Sequence, residues 1–210
     1  ENTAATVAGY QYYEPENGKR VTGWRTIEGV EGISAEGELY NFYFKNGKPY
    51  HADNGLQLFT VESKKYAFNT KGEMQTGLKV VNLEDGEIAN FYFAEDGVMR
   101  TGKQVIYNED LDENQTWFFY TDGSRKGQGF HGIRDNTLYE YGLRKDADSD
   151  LRLAPMNYDG NQYLVNTSGS IQKASSSSKS ATKPELGNGF KDYKDSNGKT
   201  WVVDVNGIIQ

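Results

Sequence analysis

Phe91-Tyr92-Phe93-Ala94-Glu95-Asp96-Gly97-Val98-Met99-Arg100-Thr101-Gly102 is the stretch whose reading decides the fold. Phe91 and Phe93 stand two apart, the period of an extended strand that turns one face inward and the other outward. Asp96-Gly97 supplies a tight turn, because glycine takes the positive φ that such turns demand. Met99 brings an apolar residue back, and Thr101-Gly102 turns the chain toward whatever follows. The stretch predicts a β-hairpin unit.

The unit recurs. Ring, any residue, apolar, three residues, glycine is found at Tyr66/Phe68/Gly72, Trp117/Phe119/Gly123, Tyr163/Val165/Gly169 and Trp201/Val203/Gly207. A version one residue shorter is Phe42/Phe44/Gly47, and the first copy, Tyr12 to Gly18, puts Glu14 at the apolar position. Turn glycines 18, 47, 72, 97 and 123 lie 29, 25, 25 and 26 residues apart, and the longer gap to Gly169 holds a degenerate unit around Tyr139-Glu140-Tyr141. A lone two-stranded hairpin is marginal in water, so such units must stack to bury their rings. The fold class is therefore all-β: an elongated solenoid of stacked β-hairpin repeats over residues 1–172, with the degenerate unit near 128–160. Lys173 to Pro184 is Ser-rich without apolar period, so 173–188 reads as a mobile loop or linker before a final hairpin repeat at 189–210.

Composition narrows the function. Lys+Arg number 23 against 30 Asp+Glu, a formal net charge of −7, which disfavours phosphate neutralisation on nucleic acid and polybasic attachment to lipid. No window approaches the roughly 18 apolar residues of a membrane-spanning helix, so no membrane insertion is expected. The 15 Tyr, 10 Phe and 3 Trp predict a core built of rings. Each buries about 150–250 Å², at most roughly 4–6 kcal/mol at about 25 cal/mol per Å². With no Cys there is neither a disulfide framework nor a thiolate metal site. The chain opens on Glu1-Asn2-Thr3, with no charged-then-apolar signal segment, and reads as a processed piece of a longer secreted protein.

At these residues the chain resembles the cell-wall-binding repeat superfamily, which includes choline-binding repeats, glucan-binding repeats and the repetitive tails of large secreted toxins. The resemblance is carried by Thr22-Gly23-Trp24 and by Phe91 to Gly102, covers most of residues 9–127, and extends thinly over 160–210. It implies a bacterial cell-surface location and a cell-wall polysaccharide or other glycan as partner. In choline-binding members it further implies a ring cage, which holds a quaternary ammonium by cation–π attraction. Here the Trp of Gly-Trp survives at Trp24 and is replaced by Leu78, Lys103 or Gln128 elsewhere. The position before the aromatic pair holds Lys65, Asn90, Thr116, Gln162 or Thr200. No repeat keeps a full cage, so the resemblance does not extend to choline.

Strand alternation sorts the rings. Positions six and four before each turn glycine form the predicted core: Tyr66/Phe68, Phe91/Phe93, Trp117/Phe119, Tyr163/Val165 and Trp201/Val203. The opposite face holds Tyr13, Tyr43, Tyr92, Phe118 and Tyr120, which together with Trp24 are the candidate ligand-binding residues. Their alternative role is to cover the edge of a neighbouring unit. Chemistry is sparse otherwise. His51 and His131 lie far apart, without the Gly-x-Ser-x-Gly elbow of a serine nucleophile. The acidic runs Glu109–Asn114 and Asp146–Asp150 begin like calcium loops but lack the Gly and Glu that would complete them, and read as solvated loops. No catalytic residue, metal or cofactor is expected. The sequence thus points to a non-catalytic binding module for a cell-wall polymer or other glycan, with a structural spacer or protein-interaction stalk as the alternative.

Overall fold

The computed structural model describes residues 7–29, 32, 34, 35 and 37–210. The described chain is all-β apart from one 3-10 turn at Pro184–Leu186, and its strands form small antiparallel sheets. They are the hairpin sheets of a β-hairpin repeat solenoid.

Two compact units are present. The first runs to Gln104 and includes Phe119–Gly129; the second comprises Val105–Phe118 and Phe130–Gln210. The first holds β1 (Gly23–Glu28), β2 (Leu39–Lys45), β3 (Lys48–Pro49), β4 (Leu56–Val61), β5 (Lys64–Asn69), β6 (Gly77–Asn82), β7 (Ile88–Phe93) and β8 (Met99–Arg100). Its sheets are β1-β2-β3, β4-β5 and β6-β7-β8. The unit boundary falls inside β9 (Gly102–Asn108) and at the end of β10 (Glu113–Phe119). These two strands join β11 (Gly132–Arg134), β12 (Thr137–Glu140) and β13 (Leu143–Arg144) in a five-stranded sheet of order β11-β12-β13-β10-β9. The second unit continues with β14 (Leu153–Tyr158) paired to β15 (Asn161–Asn166), and β16 (Lys191–Lys194) paired to β17 (Thr200–Val203).

The Phe42 and Phe91 repeats differ from their sequence-level outline in one respect. The Asp-Gly turn does close an apolar pairing, Phe93 opposite Met99, and its equivalents Phe68–Met74, Val165–Ile171 and Val203–Ile209 are single bridges. The longer partner of the ring strand, however, is the strand that begins at Thr-Gly. Gly77 faces Phe93, Leu78 faces Tyr92, and the register continues to Asn82 opposite Ile88. The same holds for Gly23 opposite Phe44. Thr-Gly therefore starts the long arm of the hairpin rather than only leading out of it. The mixed polar and apolar sequence Leu78-Lys79-Val80-Val81-Asn82 hides that arm.

The turns carry a further device. Asn69 Oδ1 accepts the N–H groups of Lys71 and Glu73 at 3.0 and 2.9 Å. Asn166 does the same for Ser168 and Ser170, and Asp204 for Asn206 and Ile208. A short side chain three residues before the turn glycine thus satisfies two backbone donors that no strand partner reaches.

The core is a series of small clusters. Phe91, Phe93, Val81 and Ala67 form one, Phe42, Phe44 and Val21 another, and Phe68, Tyr66 and Val61 a third, all in the first unit. Val165, Ile171 and Ala147 make a fourth in the second unit. Of the predicted core pairs, Tyr66, Phe68, Phe91, Phe93, Trp117, Phe119, Val165 and Val203 are buried, while Tyr163 and Trp201 are half-buried. Hairpins stack because the apolar return residue of one presses on the turn glycine of the next. A β-carbon on Gly97 would lie 2.2 Å from Met74 Sδ, and one on Gly207 2.2 Å from Ile171 Cγ2.

The Ser-rich stretch is joined to the final hairpin by polar contacts. Asp192 on β16 accepts from the Ser180 hydroxyl, from the Ala181 and Thr182 N–H groups at 3.1 and 2.9 Å, and from Thr182 Oγ1 at 2.8 Å. Lys179 bridges Asn188, and Ser180 is buried. A single carboxylate with four donors around it is a tie that apolar periodicity cannot signal.

Candidate functional site

Trp24, on β1, is the one ring of the Gly-Trp signature. Its neighbours come from β2 and β5: Tyr43 at 5.2 Å between ring centroids, Tyr66 at 4.8 Å and Phe68 at 6.0 Å. Tyr43 continues the chain of contacts to Tyr50 at 5.0 Å, and Tyr50 to Phe59 at 4.7 Å. Edge-on and offset contacts of this kind suit the ring quadrupole and add to the burial itself. Burial, followed by the charges of Asp96 and Glu62, pushes the Tyr66 hydroxyl above its ordinary pKa, so the phenol stays neutral. The cluster holds six rings packed on one another, with Trp24, Tyr43, Tyr50 and Phe59 half-buried.

The remaining candidate residues are dispersed. Tyr13 is largely exposed, and its hydroxyl donates to Gln11 Oε1 at 2.8 Å. Tyr92 stacks on Phe119 at 6.4 Å. Tyr120 carries the Arg125 guanidinium 5.8 Å from its ring centre. Phe118 belongs to the second unit, where Phe130 and Tyr139 pack against it at 5.8 and 5.7 Å and Arg134 lies 4.6 Å from its ring centre. The structure thus brings Trp24 and Tyr43 together and leaves Phe118 among other rings of its own unit.

A ring-lined opening exists elsewhere in the first unit. Tyr10, Tyr12, Phe42, Phe44, Ile27 and Pro49, with Val7 and Gln11, line a cavity of about 70 Å³. Tyr12 stacks on Phe44 at 5.0 Å with planes 23° apart, and Tyr12 N–H donates to the Gly47 carbonyl at 2.8 Å, which fixes the wall. About 10–15 Å³ of such space holds one water molecule, so the cavity, which opens to solvent, has room for a small group. Sequence reasoning passed over Tyr10 and Tyr12 because the first repeat breaks the pattern at Glu14. Glu14 instead pairs with Arg25 of β1.

No protein-family model matches the sequence, and no curated protein does. Solved structures do match. CbpF in complex with ipratropium aligns over 96% of this chain at 17% identity, with a TM-score of 0.52. The chain has the fold of the choline-binding, cell-wall-binding repeats. It spans 54% of the length of that CbpF structure. Two further solved structures match more loosely. Alternansucrase in complex with isomaltononaose matches 95% of this chain and 15% of its own at 17% identity and a TM-score of 0.39. CbpJ from Streptococcus pneumoniae TIGR4 matches 95% and 90% at 17% identity and a TM-score of 0.32.

Proposed function

We propose that this chain is a non-catalytic, extracellular binding module that attaches a larger secreted protein to bacterial cell-wall polymer or another glycan through ring-lined openings between hairpins. The observation that carries the reading is the cavity walled by Tyr10, Tyr12 and Phe44, rings with an apolar face and, in the tyrosines, a polar edge. The repeat fold shared with CbpF, solved with a bound small molecule, supports it. Trp24, Tyr13, Tyr43, Tyr92, Phe118 and Tyr120 remain the proposed secondary contacts, with Tyr13 the most accessible among them by its exposure.

A spacer without a glycan site is the second reading, and the packing of Trp24 favours it. Tyr43, Tyr66 and Phe68 already pack around the half-buried indole. Calorimetric titration with dextran, choline, wall teichoic acid and soluble peptidoglycan fragments separates the two. Heat that Tyr12→Ala abolishes without unfolding the protein supports the module; no heat from any of the four supports the spacer.

A further inference from the structure

The turn between β12 and β13 breaks a local rule. Glu140 pairs with Leu143, so Tyr141 and Gly142 form a two-residue loop, with φ of 48° and 104°. The first position of such a loop belongs to Asn, Asp or Gly, which tolerate positive φ. Other two-residue loops of the described chain place polar residues there: Asn46 after β2, Glu62 after β4, Asp135 after β11 and Asp159 after β14. A bulky ring held at positive φ is an outlier of the kind that marks functional sites.

That ring is displayed. Tyr141 is 63% exposed and stacks on His131 at 4.5 Å with planes 19° apart. His131 meets the edge of Tyr158 at 5.4 Å, and Tyr158 leads to Tyr163 at 6.5 Å. All four belong to the second unit. The backbone N–H of Tyr141 donates to His131 Nδ1 at 3.4 Å, so the neutral imidazole carries its proton on Nε2, which is left to act as a donor. Tyr141 thus covers one face of the imidazole, Tyr158 meets it edge-on, and the flat surface displayed is that of the exposed Tyr141 ring, with the imidazole N–H beside it.

We propose that His131, Tyr141 and Tyr158 form a second ligand platform, in the degenerate repeat, which takes the face of a neutral sugar residue of a glycan. A pyranose has the same division, with C–H groups on its faces and hydroxyls around its rim. The Tyr141 ring would stack on the former while His131 Nε2–H bonds the latter, with Tyr158 holding the imidazole from its side. A nucleobase has matching flat faces, but the −7 charge of the chain opposes its phosphates. The inference rests on the glycan reading above but concerns different residues in a different unit.

The chain contains two histidines, so the imidazole proton resonances give a local probe. Isomalto-oligosaccharides and soluble peptidoglycan fragments are titrated into the full chain while both histidines are followed by NMR and the heat by calorimetry. The His131 signals are expected to shift while those of His51 stay. Tyr141→Gly and Tyr141→Asn, which suit the positive φ, are expected to lower affinity about tenfold or more without lowering the melting temperature. A probe that binds with heat but leaves His131 unmoved overturns the inference while the module reading stands, as do Tyr141 variants that bind like the wild type. Variants that melt several degrees lower also overturn it, because Tyr141 then serves the fold. Silence from every probe overturns both readings.

Discussion

The final hairpin is fastened by two joints of opposite character. On one side Ile171 presses on Gly207, so closely that a β-carbon there would meet Ile171 Cγ2 at 2.2 Å and the Gln172 carbonyl oxygen at 2.9 Å. On the other side the Asp192 carboxylate gathers the Ser180 and Thr182 hydroxyls and two backbone N–H groups of the Ser-rich segment. The first joint works by shape and has a counterpart where Met74 meets Gly97. The second works by one charge and has no place in the repeat pattern. A solenoid can reuse an apolar joint at every step because it asks only for a small residue facing a large one, whereas a carboxylate hub must be specified residue by residue.

The largest effect that would break this contrast is Gly207→Ala. The backbone sits at φ 86°, and both contacts are stiff, one a β-branched side chain and the other main chain. A loss of about 3 kcal/mol or more in urea unfolding is expected, the sum of left-handed strain and overpacking. Gly97→Ala should cost less, about 2 kcal/mol, because the facing atoms belong to Met74, whose unbranched chain can yield. Adding Met74→Ala to Gly97→Ala sharpens the point. The double variant should lose less than the sum of the two singles, since shortening Met74 makes room for the new methyl group. Additive losses would mean that the two residues do not form a joint.

The same division decides what could be read from the sequence. Rings at positions six and four before a glycine announced the core, because strand period and turn chemistry are both local. Phe68, Phe93 and Phe119 are accordingly fully buried. The long arms beginning at Gly23 and Gly77 escaped notice, since Leu78-Lys79-Val80-Val81-Asn82 has no clean alternation and gains its strand from pairing with β7. The site was less legible still. Trp24 carried the family signature, yet its contacts are set by Tyr43, Tyr66 and Phe68, which lie 19 to 44 residues away in sequence. Tyr12 lay in a repeat whose broken apolar position is explained by an ion pair with Arg25. Tyr141 looked like part of a degenerate strand, and only its positive φ sets it apart.

The smallest expected effect tests the polar joint by pH. The Ser180 hydroxyl has the largest influence and lowers the Asp192 pKa from its ordinary value; burial, next in size, opposes it, and the Thr182 hydroxyl and the N–H groups of Thr182 and Ala181 add to the lowering. A depressed carboxyl pKa stabilises the folded segment wherever the unfolded group is already ionised, which is above about pH 4. The contribution fades as pH drops from there through the lower folded value, because a protonated Asp192 offers the four donors a weaker acceptor. Asp192→Asn should therefore speed amide hydrogen exchange at Ala181 and Thr182 near neutral pH while leaving Phe93 and Phe119 as protected as before. With acid the wild type should approach the variant, after correction for intrinsic exchange rates. Equal exchange at both amides near neutral pH in the two proteins would show that the segment is held by its backbone bridge at Lys179–Asn188 instead, and the contrast between charge and shape would then reduce to shape alone.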